Sequence, residues 1–218
     1  MSLRRSLTLV LLVASLGIAS ATLRAAPASD AIAFVKNLVG HAMQSLNDQK
    51  LSDDQREKQF RTMLHSDFDM PRISRFVVGR YWTTASEQDK QNFQRLFEDY
   101  VVRAYAERFS QYNGEQVKVT GSRPESETVI LVTSQVLRPN GAPPAKVDWR
   151  VRKQDNDFKI VDIDVEGVSM LLTQREEFTS VIQRSGGSVA GLNKTLEDRL
   201  ASGDTSLAAT PLPQQGKQ

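Results

Sequence analysis

Apolar residues recur at helical spacing through the first half of the chain. The first such segment runs from Ser29 to about Leu46, and Ser29 or Asp30 is suited to its N-cap. A second helix is predicted from Ser52 or Asp53, because acidic residues occupy its first turn, where the helix dipole favours them. Each segment carries an apolar stripe on one side, which predicts that it packs against another element.

Two more helices are predicted before the pattern changes. Asp69-Met70-Pro71 opens the third, since proline is tolerated in a first turn, and Gly79 ends it. The fourth extends from Ser86 to about Tyr112. Its apolar positions form an aromatic-rich stripe along one side: Phe93, Leu96, Phe97, Tyr100, Val101, Ala104, Tyr105 and Phe109.

The period then becomes that of β-strands. β-branched runs over 116–120, 128–137, 145–153 and 158–165 are separated by Gly, Pro, Asn and Asp, which predicts an antiparallel meander. Alternation is strict in the third run, where Val147, Trp149 and Val151 share one face. In the fourth run Phe158 and Ile160 break the alternation, which indicates a bulge or a sheet edge covered by a helix.

Helical spacing returns after Gly167, over 168–184 and about 189–200. The predicted fold class is therefore α+β, with helices packed on a twisted antiparallel sheet of four strands or slightly more. The predicted domain covers 29–200, with helices over 29–112, the sheet over 116–165 and helices over 168–200. Residues 201–218 are rich in small and polar residues and are predicted to be disordered.

The N-terminal segment has the pattern of a secretory signal. Arg4 and Arg5 precede an apolar run from Leu7 to Ile18, and small residues follow through Ala28. The run of about 12 residues is too short to cross a bilayer. We interpret residues 1–28 as a signal peptide, cleaved between 21 and 28, of a protein that is soluble in the periplasm of a Gram-negative cell.

Charge and cysteine content exclude several function classes. The 218 residues carry 28 Lys+Arg and 26 Asp+Glu, but three of the cations lie in the predicted signal peptide. The mature chain is then close to neutral, which argues against a nucleic-acid partner. The absence of cysteine excludes disulfides, thiolate nucleophiles, cysteine zinc sites and iron–sulfur clusters.

Motifs for metals, cofactors and catalysis are weak. Asp162-x-Asp164-x-Glu166-Gly167 matches the start of an EF-hand loop, but Thr173 stands where the loop needs its final Glu. Neither His41 nor His65 has a second histidine at helical spacing, and no nucleophile elbow, P-loop or dinucleotide motif occurs. No metal, no cofactor and no catalytic residue is predicted, and the chain is not expected to be an enzyme.

Several segments, taken in order, resemble one known family. They are Phe76-Val77-Val78-Gly79-Arg80-Tyr81-Trp82, Pro139-Asn140-Gly141-x-Pro143-Pro144, Val147-Asp148-Trp149-Arg150 and Glu166-Gly167-Val168-Ser169-Met170. Together they resemble the MlaC/toluene-tolerance family of periplasmic lipid-binding proteins, over about 32–200. The resemblance implies a nuclear-transport-factor or cystatin type of sheet with extra helices, and a deep apolar pocket for phospholipid acyl chains.

The resemblance also implies partners. Such a protein carries lipid between an outer-membrane lipoprotein–porin complex and an inner-membrane ABC transporter with an MCE-domain subunit. A sister branch, HpnM, accompanies hopanoid biosynthesis, so a hopanoid or other terpenoid lipid is the alternative ligand. Two 16-carbon chains gain on the order of 20 kcal/mol from burial, at about 0.8 kcal/mol per methylene, so a carrier must enclose the tails.

Apolar positions at the expected sheet–helix interface are the candidate lining of that pocket. They are Phe76, Val77, Phe97, Val101, Tyr105, Val147, Trp149, Val151, Ile163, Val165, Val168, Met170 and Leu171. Arg80, Tyr81 and Arg150 are candidates for the mouth or the surface. Two other hypotheses stay open: an enzyme that uses Asp148 or Asp164 as a buried acid, and an interaction module whose apolar residues fill a solid core.

Overall fold

Local polar residues begin the helices where the sequence predicts. In the computed structural model, which describes residues 25–48, 50–109, 114–139, 141–155 and 157–206, the Ser52 side chain accepts the Gln55 N–H at 3.3 Å. The Gln55 side chain accepts the Ser52 N–H at 2.8 Å, which completes a capping box. Asp69 caps the third helix at 3.2 Å from the Arg72 N–H.

The helices and strands alternate in blocks along the chain. The helices are α1 (Ala25–Asn47), α2 (Asp53–Asp67), α3 (Met70–Val78), α4 (Glu87–Phe109), α5 (Met170–Arg184) and α6 (Val189–Ser202). The strands are β1 (Gln116–Pro124), β2 (Val129–Leu137), β3 (Ala145–Gln154), β4 (Asp157–Val165) and β5 (Val168–Ser169). Neighbours along the chain pair in the order β1-β2-β3-β4-β5, all antiparallel. The predicted α+β class and antiparallel meander are confirmed.

Some predicted boundaries were wrong. The helix expected from residue 168 begins at Met170, because Val168–Ser169 pairs with the end of β4 as a fifth strand. A 3₁₀ helix over Gly79–Thr84 was not predicted, and α1 begins at Ala25 rather than at residue 29. The predicted signal sequence up to residue 24, the predicted end of α4 at Tyr112 and residues 207–218 of the predicted tail lie outside the described residues.

The irregular fourth strand contains a β-bulge. Arg150 pairs with Asp162, but Val151 pairs with Ile160, so Val161 is an extra residue without a cross-strand partner. The bulge shifts the alternation by one position. Ile160 therefore lies on the same face as Ile163 and Val165, although the spacing along the chain predicts the opposite face. This explains the break in the sequence pattern.

The outer edge of β4 is also covered. Phe68 bridges to Ile160, and the Asp69 N–H donates to the Ile160 carbonyl at 3.0 Å. Further along, β5 pairs with Asp164 and Val165. The sheet edge next to the helices is therefore closed by short segments, as exposed edges usually require.

Separate groups of helices bury separate cores. On the sheet, an apolar face forms from β2, β3 and β4: Ile130, Val132, Val147, Trp149, Val151, Ile160, Ile163 and Val165. Helix α1 covers much of this apolar face with Ala31, Val35 and Leu38. Helices α3, α4, α5 and α6 form a helical core of their own around Phe178, whose ring meets those of Phe93, Phe97 and Tyr100 edge-on.

Candidate functional site

The predicted lining residues on the strands lie together on the apolar face. Val147, Trp149 and Val151 follow one another along β3, and the register places Val165 beside Val147 and Ile163 beside Trp149. The Trp149 Nε1–H donates to the Ser134 hydroxyl at 2.9 Å, which satisfies the indole's polar group without leaving the sheet. The sheet part of the predicted set is thus one continuous surface.

The predicted lining residues on the helices do not join that surface. Val77 and Phe97 are buried in the helical core, which contains no strand residue among those described. The Phe76 ring lies 4.9 Å from the guanidinium of Arg175 on α5. Val101 and Tyr105 face α2, where the Tyr105 and Phe60 rings are 5.9 Å apart.

The remaining candidates lie at the start of α5 or on the surface. Val168 is 53% exposed, whereas Met170 and Leu171 are half-buried. Arg80 is exposed and donates to the Tyr81 hydroxyl at 3.0 Å.

A groove that the sequence did not predict runs between α1 and α2. Its volume is about 470 Å³, which is within the range of small-molecule sites. Its rim is largely polar, and its lining comes from both helices and the loop that joins them: His41, Gln44, Ser45, Asp48, Leu51, Lys58, Gln59, Thr62, Met63, Ser66 and Asp67. Across the groove the Ser45 hydroxyl donates to the Gln59 side-chain oxygen at 2.5 Å.

A smaller recess adjoins the groove. Its volume is about 60 Å³, it shares His41, Ser45, Gln59 and Met63 with the groove, and Ala42, Arg56 and Phe60 complete its lining. Met63 packs against the apolar residues under α1 and also against the small core between α2 and α4. Through Met63, the groove and the recess border the apolar residues that α1 covers.

Charges of both signs lie on the rim. Lys58 lies with Asp48 and Asp67 among its lining residues. Burial raises the pKa of Asp67, while a hydrogen bond from Ser66 and the charges of Lys159 and His41 act in the opposite direction. A rim of this composition suits a polar group that carries both charges better than it suits a simple anion.

The opposite face of the sheet is polar and internally paired. Arg150 lies between Asp162 at 2.9 Å and Glu125 at 3.2 Å, away from the groove. Asp162 also accepts hydrogen bonds from the Ser169 hydroxyl at 2.6 Å and the Leu171 N–H at 3.0 Å. The acidic string that resembles a calcium loop thus forms part of a strand and the cap of α5. Within the described ranges, no group of three His, Asp or Glu side chains could hold a metal ion.

Asp148, a candidate buried acid, is held in its ionised form. It accepts hydrogen bonds from Thr133 and from the Lys146 ammonium, both at 2.7 Å. Burial by itself would raise the pKa of Asp148, but these hydrogen bonds and the charges of Lys146 and Arg123 outweigh it and lower the pKa below 3.8. A general acid at neutral pH needs a raised pKa, so this environment does not prepare Asp148 for that role.

A helix that crosses a membrane needs about 20 mostly apolar residues. Among the residues that the structure describes, no helix is long and apolar enough to cross a membrane.

Comparison with known proteins identifies the class of fold and then the family. A solved structure of a phospholipid-binding protein from Ralstonia solanacearum, in complex with a phospholipid, matches with a TM-score of 0.67 and 26% identity. The match covers 78% of this chain and 97% of that one, and it shares the α+β architecture. The family model of the MlaC protein matches residues 36–198, and the chain belongs to the MlaC family.

A curated relative is more distant. The intermembrane phospholipid transport system binding protein MlaC of Haemophilus influenzae is 20% identical over 113 residues. The matched segment is 50% of this chain and 53% of the relative, so the chain spans about half the length of that protein.

The pairing of Asp148 generates a pH-dependent prediction. Asp148→Asn should lower the free energy of unfolding at pH 7 by about 1 kcal/mol, because a charge-assisted hydrogen bond is lost. The folded-state pKa is depressed, so this contribution is complete above 3.8 and disappears as the pH falls through the folded value. Urea unfolding across this pH range measures it.

Asp155→Asn in the exposed turn before β4 is the matched control and should change stability by less than about 0.5 kcal/mol. A difference between Asp148→Asn and wild type that persists unchanged in strong acid would contradict the assignment.

Proposed function

We propose that this protein is a periplasmic phospholipid carrier that holds acyl chains against the apolar face of its sheet, beneath α1. The chain belongs to the MlaC family, and a structure 26% identical to it binds phospholipid. The observation that carries the proposal is the groove between α1 and α2, which borders, through Met63, the apolar residues that α1 covers.

The acyl chains and the head group of the proposed ligand have different expected positions. Acyl chains would enter between α1 and the apolar face, so the burial that the α1 side chains give up is returned by the tails at about 0.8 kcal/mol per methylene. The head group of a glycerophospholipid would lie at the mixed-charge rim, which includes Lys58 and Asp67. Trp149 stands in the middle of the proposed tail site.

Helix α1 is suited to act as a movable cover. The side chains that it buries most deeply, Ala31, Val35 and Leu38, are small or medium-sized. Its polar contacts to the body include the Ser122 hydroxyl, which donates to the Ala28 carbonyl at 3.4 Å, and the bond between Ser45 and Gln59. In contrast, Arg61 joins α2 firmly to α4 through Glu98 at 2.7 Å and Asp99 at 2.9 Å.

The proposal includes the partners that the family resemblance implies. The carrier would receive and deliver lipid between an outer-membrane lipoprotein–porin complex and an inner-membrane ABC transporter with an MCE-domain subunit. It would work without a catalytic step, because transfer moves the lipid without changing a covalent bond.

The first test is the identity of the bound ligand. Protein expressed in a Gram-negative host, purified without detergent and extracted with organic solvent, should release diacyl glycerophospholipid in stoichiometric amount by mass spectrometry. Ligand-free protein, or a hopanoid mass in place of phospholipid, would contradict the proposal.

The second test locates the tails. The chain has two tryptophans, Trp82 and Trp149, so Trp82→Phe leaves Trp149 as the only tryptophan, which can be excited selectively at wavelengths that tyrosine does not absorb. Phospholipid with brominated acyl chains should quench most of its fluorescence, since bromine quenches tryptophan only in close contact.

The reciprocal variant provides the control for that measurement. Trp149→Phe leaves Trp82, which packs with the helical core beside Lys90, and brominated lipid should quench it much less. Equal quenching of both variants would show that the tails do not lie on the apolar face.

The third test asks whether α1 must move. The chain has no cysteine, so Ser45→Cys with Gln59→Cys introduces two thiols on opposite sides of the groove. A short bifunctional thiol reagent should join α1 to α2 and strongly slow the uptake of fluorescent phospholipid by delipidated protein.

A control uses the same reagent on a pair of cysteines far from the groove. It shows whether slower uptake comes from joining α1 to α2 or from chemical modification of the protein by itself. Lys194→Cys with Asp198→Cys joins one turn of α6, where the native side chains form an exposed ion pair at 3.5 Å. Uptake by this protein should equal that of wild type. Unchanged uptake by the protein joined across the groove would exclude α1 as the cover.

A further inference from the structure

A basic and apolar surface lies on α3 and α5, away from the groove. It consists of four exposed arginines, Arg72, Arg75, Arg80 and Arg175, and two exposed apolar side chains, Val168 and Leu172. Val168 and Leu172 are each 53% exposed, and they are the large hydrophobic side chains most exposed in the described part of the chain. We call this set the α3–α5 patch.

The patch is continuous because the two helices pack side by side there. Arg72, Arg75 and Phe76 are one turn apart on α3 and point to the same side. The Arg175 guanidinium lies over the Phe76 ring at 4.9 Å, and its Nε is 3.2 Å from where a Cβ on Gly79 would stand. Leu172 precedes Arg175 by one turn of α5, so it adjoins the arginines.

The arginines of the patch are not neutralised within the chain. None of the four forms an ion pair with another described residue. Nearby acids are paired elsewhere, Asp69 with Arg152 and Asp162 with Arg150. Glu176 beside Arg175 and Glu166 beside Val168 are exposed acids. Four arginines against these two acids leave the patch with a net positive charge, on a chain whose total charge is close to neutral.

We infer that the α3–α5 patch docks the protein on a membrane surface that contains anionic phospholipid. Interfacial binding combines basic side chains, which attract anionic head groups, with a few apolar side chains that enter the head-group region. The patch has both components: the arginines lie on α3, on the 3₁₀ helix that follows it and on α5, and the apolar side chains lie on β5 and α5. Arg175 stacked on Phe76 keeps its charge at the surface while its stem covers apolar area, as interfacial arginines commonly do.

Docking here is separate from ligand enclosure. The groove lies between α1 and α2, whereas the patch belongs to α3, the 3₁₀ helix after it, the short strand β5 and α5. Loss of docking and loss of lipid binding can therefore be measured independently. The inference stands whether or not the carrier proposal is correct.

The test is sedimentation of the full mature protein with vesicles. Wild type should co-sediment with vesicles of equal parts phosphatidylglycerol and phosphatidylcholine, and much less with phosphatidylcholine alone. Binding should weaken as salt is raised, because exposed charges are screened. Arg75→Glu with Arg80→Glu should reduce partitioning at least about tenfold, since each basic residue at the surface contributes roughly fivefold.

Further variants separate the contribution of the apolar side chains from that of the arginines and control for net charge. Val168→Ser with Leu172→Ser should weaken binding to the anionic vesicles without altering its salt dependence. Lys118→Glu with Lys194→Glu makes the same change in net charge at exposed positions on β1 and α6, and it should bind like wild type. Thermal unfolding and extracted lipid verify that each variant is folded and loaded.

Clear outcomes would overturn the inference. If the wild-type protein stays in solution with anionic vesicles, membrane docking is excluded. An acidic protein surface is then the expected partner of the patch. Equal loss of binding by the patch variant and the control variant would show that net charge, rather than the α3–α5 patch, drives the association.

Discussion

An antiparallel sheet with one apolar face must have that face covered, and in this protein much of the cover is one amphipathic helix. Val35 and Leu38 of α1 stand over Val132 and Val151, and the charged side chains of β3 point the other way. Because side chains alternate along a strand, the same register that places Trp149 inwards places Asp148 and Arg150 outwards. The position of α1 therefore determines whether the apolar face is packed or available.

The helical core makes a movable cover energetically plausible. Phe178 and its aromatic neighbours are packed among α3, α4, α5 and α6 without help from the strands. Ion pairs from Arg61 hold α2 on this body, and Phe68 and Asp69 tie the body to the edge of β4. Displacing α1 would open the apolar face while these interactions stay intact, so access need not involve global unfolding.

The alternating strands and the helix caps could be predicted from sequence because their signals are local. Strict alternation put Val147, Trp149 and Val151 on one face, and Ser52 and Asp69 marked helix starts. A helical stripe shows only that a face is buried and not which element buries it. For this reason Val77 and Phe97 were placed at the sheet interface but lie within the helical core.

Other features depend on contacts that a local pattern does not contain. The broken alternation in β4 indicated a bulge, but only the pairing with β3 identifies Val161 as the extra residue. The groove was missed because His41, Ser45 and Gln59 are polar, and polar positions on helices normally face solvent. These residues form the rim of a groove only because α1 and α2 pack side by side and bring them together next to Met63.

The free energy of transferring acyl chains into water also limits how the proposed ligand could leave. Moving two acyl chains from the apolar face into water costs on the order of 20 kcal/mol, which exceeds the 5–15 kcal/mol that typically stabilises a whole domain. Release through water is therefore too slow to be useful, and the tails must pass directly to an acceptor in contact with the protein. A docking surface on α3 and α5, distinct from an exit beside α1, would hold the acceptor close while leaving the cover free to move.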